Sequence, residues 1–247
     1  MIDCNSLTKS FQGKVVLDAL HLTVERGEIL AIMGTSGCGK TVLIQHMAGL
    51  LVPDAGTVSF DGKDLATMNY VERRRFARRI GYMFQLGALF DSMNVFDNLA
   101  LPLVEHERLT SREMTVRIRE TLGALDLAGV EMKMPHELSG GMLKRVGLAR
   151  AMILSPEVLF CDEPTAGLDP VRAKIVYELI GRVRDKFKTT VVVVTHDTGS
   201  VTHFADRIAL MRKGKIATVE KNFAQLSSLY QDFTHGAAMF LEGAADA

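Results

Sequence analysis

Ile29-Leu30-Ala31-Ile32-Met33-Gly34-Thr35-Ser36-Gly37-Cys38-Gly39-Lys40-Thr41 joins an unbroken apolar run to a glycine-rich turn. Residues 34–41 fit G-x-x-x-x-G-K-[ST], the phosphate-binding loop. Glycines let the backbone curl so that successive N–H groups face inward on phosphate oxygens. The helix that starts near Gly39 adds its positive end to the same place. Lys40 is expected to supply a point charge to the β- and γ-phosphates, and the Thr41 hydroxyl to ligate Mg²⁺. The context agrees, because Val42, Leu43, His46, Met47 and Leu50 continue with helical spacing. A nucleotide site is therefore expected over Gly34, Thr35, Ser36, Gly37, Cys38, Gly39, Lys40, Thr41 and Val42. Cys38 lies inside this loop, so thiol modification is expected to obstruct it.

The same texture recurs downstream. Val158-Leu159-Phe160-Cys161 and Val191 to Thr195 are continuously apolar, as parallel strands covered on both faces are. Helical patterns follow each, so the fold class is α/β. The first of these strands ends in Asp162-Glu163, and adjacent carboxylates at a buried strand end call for a cation or hydrogen bonds to compensate them. Asp162 is assigned to Mg²⁺ and Glu163 to the attacking water. Before residue 61 the chain reads differently: Val15-Val16-Leu17, Leu20 to Val24 and Gly56 to Phe60 are short segments between Gly-containing turns, an antiparallel β lobe. From about residue 87 to 155 strand signals stop. Thr110-x-x-Glu113 forms a capping box, with Met114, Ile118, Leu122 and Leu125 on one helical face; Met142, Val146, Ala149 and Ile153 mark another helix. Ser139 before Gly140-Gly141 is an N-cap with exposed N–H groups behind it. Arg73, Arg74, Arg75, Arg78 and Arg79 read as a solvated helix face.

Composition narrows the function. The 247 residues carry 29 basic and 29 acidic side chains, which disfavours a nucleic-acid binder. Apolar residues at 47% indicate a globular chain, but no stretch approaches the roughly 20 apolar residues of a membrane span. No secretory signal is visible, and the three cysteines lie far apart, as in a reducing compartment.

Phosphate loop, Leu138-Ser139-Gly140-Gly141, Asp162-Glu163 and His196, in that order, resemble the nucleotide-binding subunit of ATP-binding cassette (ABC) transporters, over about residues 7–220. The resemblance implies a P-loop NTPase core of ABC type, with an N-terminal antiparallel β lobe and an inserted α-helical subdomain. It implies an ATPase domain over 1–230 and a C-terminal extension over 231–247. By position, Phe11 looks like the aromatic that stacks on adenine. Gln85 looks like the glutamine that touches Mg²⁺ or water, and His196 like the switch histidine at the γ-phosphate. Gly167-Leu168-Asp169 resembles the loop crossing the dimer interface; Asp169 before Pro170 is also a good helix cap. Ser139, Gly140 and Gly141 would complete the ATP site of a second copy, giving a homodimer with two sandwiched ATPs.

Met142, the run Phe84 to Leu103 and the ending Phe240 to Asp246 resemble the Mla/Mce branch, whose ATPases drive phospholipid movement across the cell envelope. That resemblance implies an integral membrane permease, an Mce-type lipid-handling protein, a small accessory cytoplasmic subunit, and a peripheral position on the cytoplasmic face of the inner membrane. Two other functions stay open: the ATPase of a small-solute importer, for amino acids for example, and a non-transport ABC protein acting on ribosome or DNA. The latter usually fuses two cassettes or inserts long coiled coils, and neither is seen. A binding module that holds ATP without hydrolysing it is disfavoured by Lys40, Asp162, Glu163 and His196 together.

Overall fold

The computed structural model describes residues 1–85, 87–197, 201 and 204–221. The expected extension over 231–247 lies outside them. The strands are β1 (Ile2–Phe11), β2 (Lys14–Val24), β3 (Ile29–Gly34), β4 (Ala55–Phe60), β5 (Lys63–Asp64), β6 (Ile80–Met83), β7 (Val158–Asp162), β8 (Thr190–Thr195), β9 (Arg207–Arg212) and β10 (Lys215–Glu220). The helices are α1 (Lys40–Met47), α2 (Tyr70–Arg79), α3 (Val95–His106), α4 (Ser111–Ala124), α5 (Gly140–Met152) and α6 (Pro170–Phe187).

Two sheets organise the chain. One is antiparallel, in the order β2-β1-β4-β5; the other runs β10-β9-β3-β8-β7-β6, parallel except for the β9–β10 hairpin. The apolar runs of β3, β7 and β8 are buried at every position because the parallel sheet is covered on both faces. Successive residues alternate between two cores. Ala31, Met33, Leu159, Cys161, Val191 and Val193 pack toward the core shared with α3 to α6, whereas Leu30, Ile32, Phe160, Val192 and Val194 pack toward α1 and the antiparallel sheet. The α/β class expected from the sequence is thus the one observed.

The antiparallel lobe also contains β1 and β5, which were not among the expected segments, and joins two that were. Val15–Leu17 and Leu20–Val24 form one strand, β2, bulged at Ala19 (φ 44), and the bulge breaks the apolar alternation that separated them in the sequence. The arginines of α2 also do more than face water. Arg79 donates to Asp61 at 2.6 Å and to Glu157 at 2.6 and 3.0 Å, over the Phe60 ring at 4.4 Å. Arg26 bonds the same two carboxylates, so the network joins the β4–β5 turn, the end of α2 and the entry to β7.

Between β6 and β7 the chain passes through α3, α4 and α5. The Thr110–Glu113 capping box forms reciprocally at the start of α4, and Ile118 and Leu122 are fully buried beneath it. No helix among the described residues is long and apolar enough to cross a membrane. β6 is pressed against α5: a Cβ at Gly81 would lie 2.2 Å from the Ala151 carbonyl oxygen and 3.0 Å from Pro156. Gly81→Ala is expected to destabilise the fold by about 1–3 kcal/mol, the usual cost of overpacking, measured by urea unfolding. Unchanged stability would contradict this contact.

Candidate nucleotide-binding site

The end of β3, the start of α1, and the loops after β6, β7 and β8 converge on a cleft of about 360 Å³. Its walls are Val16, Ser36, Gly37, Gly39, Lys40, Thr41, Val42, Gln85, Glu163 and His196. The glycines that begin and end the turn are there for steric reasons. A Cβ at Gly34 would stand 2.3 Å from the Met211 carbonyl oxygen, and Gly39, at φ 107, passes so close that a Cβ would be 3.0 Å from the Val16 carbonyl oxygen. The loop is also tied from outside: Gly214 N–H donates to the Cys38 carbonyl (3.2 Å) and Asp18 N–H to the Gly214 carbonyl (3.1 Å).

Lys40 is buried, and its ammonium donates to the carbonyls of Gly34 (2.9 Å) and Thr35 (3.1 Å). These carbonyls hold the cation at the mouth of the loop. The Thr41 hydroxyl donates to Asp162 Oδ1 at 3.0 Å and Tyr82 O–H to Asp162 Oδ2 at 3.4 Å. Burial raises the Asp162 pKa despite both hydrogen bonds, and the neighbouring Glu163 adds to the rise. A carboxylate held at that cost is suited to a divalent cation. Thr41, Asp162 and the Gln85 amide offer the hard oxygen donors that Mg²⁺ takes together with phosphate and water. No cluster of three or more His, Cys, Asp or Glu suited to a metal occurs among the described residues.

Glu163 begins the turn after β7 at φ 49, with its N–H on the Val194 carbonyl at 2.9 Å. Its Oε2 lies 2.8 Å from His196 Nδ1. The histidine ring is mostly exposed while the carboxylate is largely buried, so the pair spans the cleft rim. Behind them, Tyr177 O–H donates to Thr195 Oγ1 (3.1 Å) and stands 3.2 Å from the Thr165 hydroxyl; Asp197 N–H also donates to Thr195 Oγ1 (3.0 Å). This buried chain of hydroxyls joins the turns that carry Glu163 and His196.

Other expected site residues lie elsewhere. Phe11 is exposed at the end of β1, with the Lys9 ammonium 5.6 Å from its ring, and is not part of the cleft wall. Cys38 turns its thiol into the core, and burial raises its pKa. The thiol is therefore shielded in this conformation. Ser139 caps α5, its Oγ accepting from Met142 N–H at 3.4 Å, and Asp169 caps α6, accepting from Arg172 N–H at 3.0 Å. Gly140 and Gly141 face Leu168 and Arg172, not the cleft of their own chain. Val16 is a wall residue that the sequence marked only as strand, and Gly214 a tether that it did not mark; the dipeptide Lys213-Gly214 is a turn signal that could have found it.

The ABC transporter family profile matches residues 17–166. The chain belongs to the ABC transporter family. The cassette is 37% identical over 246 residues to the intermembrane phospholipid transport system ATP-binding protein MlaF of Haemophilus influenzae, covering all of this chain and 92% of that protein. The Escherichia coli MlaF is equally similar, with 90% of its length covered. A probable ribonucleotide transport ATP-binding protein, mkl, of Mycobacterium tuberculosis is 39% identical over 210 residues. That match covers 85% of this chain, which spans 58% of the mycobacterial protein's length. Among solved structures, the dimeric bacterial ABC transporter cassette MJ0796 superposes with a TM-score of 0.83 at 30% identity, covering 90% of this chain and 98% of that one. The same score, identity and coverage hold for its dimeric post-hydrolysis state bound to ADP and Pi.

Asp162 gives a pH-dependent prediction. Because its folded-state pKa is raised, ionising it opposes folding, and the cost develops as pH rises above the ordinary carboxyl value of about 4. Asp162→Asn should match the nucleotide-free wild type in acid and equal or exceed its stability at neutral pH, by denaturation at several pH values. A variant markedly less stable at neutral pH would contradict the uncompensated burial of this carboxylate.

Proposed function

We propose that this cassette binds and hydrolyses ATP with Mg²⁺ and thereby energises phospholipid transport across the cell envelope. The observation that carries hydrolysis is the meeting of Glu163 and His196, 2.8 Å apart, on the cleft that Lys40 and Thr41 also line. Lys40 moves from the Gly34 and Thr35 carbonyls onto the β- and γ-phosphates. Thr41, Asp162 and Gln85 would hold Mg²⁺, which when bound would supply charge neutralisation at the phosphates. Glu163 orients and polarises the attacking water, and His196 contacts the γ-phosphate. Phe11, exposed at the end of β1, is assigned to the adenine by the resemblance alone.

A second copy completes the site. Gly140 and Gly141 open a helix, where glycine disfavours folding by up to about 1 kcal/mol relative to alanine. Yet a Cβ at either would meet nothing closer than 4.0 Å among the described residues, so packing within them does not account for these glycines. Close approach of another molecule's phosphates to Ser139, Gly140 and Gly141 does. Asp169 caps α6 between Leu168 and Arg172, the two residues nearest these glycines. ATP then bridges two copies, and loss of the γ-phosphate releases them.

Phospholipid as the transported class rests on the full-length similarity to the MlaF proteins. The reading places the cassette on the cytoplasmic face of the inner membrane, docked on an integral permease, with an Mce-type protein and a small accessory cytoplasmic subunit. No nucleic acid is part of it.

Glu163→Gln should lower turnover by at least about 100-fold while MgATP binding persists, in a coupled ATPase assay beside fluorescent-nucleotide titration. Wild-type turnover in the variant would remove Glu163 from its role. Mild-detergent purification from native membranes should recover a permease, an Mce-domain protein and bound phospholipid. Recovery of a permease with a solute receptor and no lipid would replace the phospholipid reading with solute import.

A further inference from the structure

Lys144 lies in the second turn of α5, is only 7% exposed, and donates its ammonium hydrogen bond to the Gln85 main-chain carbonyl. Burial lowers its pKa, and the charge of Glu163 opposes that shift, so the ammonium lies within the field of the cleft. One turn on, α5 and the loop after β6 run backbone to backbone: a Cβ at Gly147 would be 3.0 Å from Gly87 Cα. One turn further, Arg150 Nη1 donates to the Ala88 carbonyl at 2.7 Å. Residues 144, 147 and 150 thus form a row along one side of α5 that grips the backbone at 85, 87 and 88.

Packing does not require a charge at the head of this row. An aliphatic chain of similar length fills the same space, and replacing a buried ion by an apolar residue of like volume is often neutral or stabilising. A buried ammonium spent on a single carbonyl has its effect on where that carbonyl sits. Gln85 lines the cleft together with Lys40, Thr41 and Glu163, so the carbonyl's position sets how far its amide can reach among them. We infer that Lys144 is a positioning residue for ATP turnover, pinning the Gln85 backbone so that the Gln85 amide is held in the cleft. The inference rests on the hydrolytic reading of that cleft.

The test uses the full chain carrying Lys144→Met, Lys144→Arg, Gln85→Ala, and Lys144→Met with Gln85→Ala. Lys144→Met should lower kcat about tenfold with KM for ATP within about twofold, since displacement of a positioning group acts mainly on the chemical step. Lys144→Arg should recover most of the loss. In the Gln85→Ala background, Lys144→Met should have no further effect, the non-additivity expected when one residue acts through the other. Amide hydrogen exchange in the nucleotide-free chain reads the tether itself. Exchange at Gly87, whose N–H closes a turn on the Phe84 carbonyl at 2.8 Å, should quicken in Lys144→Met. Wild-type kcat in Lys144→Met, losses that multiply with Gln85→Ala, or unchanged exchange at Gly87 would each overturn the inference. A wild-type chain without ATPase activity would defeat the hydrolytic reading, and the Gly87 exchange would then decide the tether alone.

Discussion

The Lys40 ammonium rests on two carbonyl oxygens of the loop that precedes it, and the rest of the structure is arranged so that this loop has one shape. Gly34 must pass the Met211 carbonyl and Gly39 the Val16 carbonyl at distances that leave no room for a side chain. Those carbonyls belong to β9 and β2, one in each sheet. The nucleotide cleft is therefore built where the antiparallel lobe, the parallel sheet and α1 meet. The β9–β10 turn, through Gly214, fastens the loop to both. Backbone-to-backbone contact of this kind cannot relax by rotamer change, and it presents the loop N–H groups ready-made to an anion.

Placement of the acids follows from the same sheet. β7 and β8 lie next to β3 in the order β3-β8-β7, so the chain leaves each strand at its carboxyl end on the side where α1 begins. Asp162, Glu163 and His196 reach the cleft for that topological reason, and Gln85 arrives from β6 beyond them. Tyr177 then joins the two turns from behind through Thr165 and Thr195. The cleft residues gather at the carboxyl ends of these strands, while Ser139 and Asp169 cap α5 and α6 and are not part of the cleft wall.

Much of this was legible because the relevant signals are local. Continuous apolar runs announced β3, β7 and β8, and the caps at Thr110, Ser139 and Asp169 lie where side-chain oxygens precede helical spacing. What escaped depends on distant partners. The Ala19 bulge hides the continuity of β2, since an extra residue inverts the alternation. The arginines of α2 look solvated until Asp61 and Glu157 are seen converging on Arg79. The direction of the Cys38 thiol is set by a backbone turn that no composition signals, and Val16 and Gly214 join the cleft only through the register of strands remote in sequence.

In the proposed function one copy supplies only half of a working site, with Ser139, Gly140 and Gly141 of a second copy closing over the phosphates. The most direct measurement is the ATPase rate of the purified chain as a function of its own concentration under saturating MgATP. Specific activity should rise with protein concentration toward a plateau, because the active species contains two copies. Specific activity that stays constant down to the lowest measurable concentration, in a chain shown to be monomeric there, would exclude a site shared between two copies.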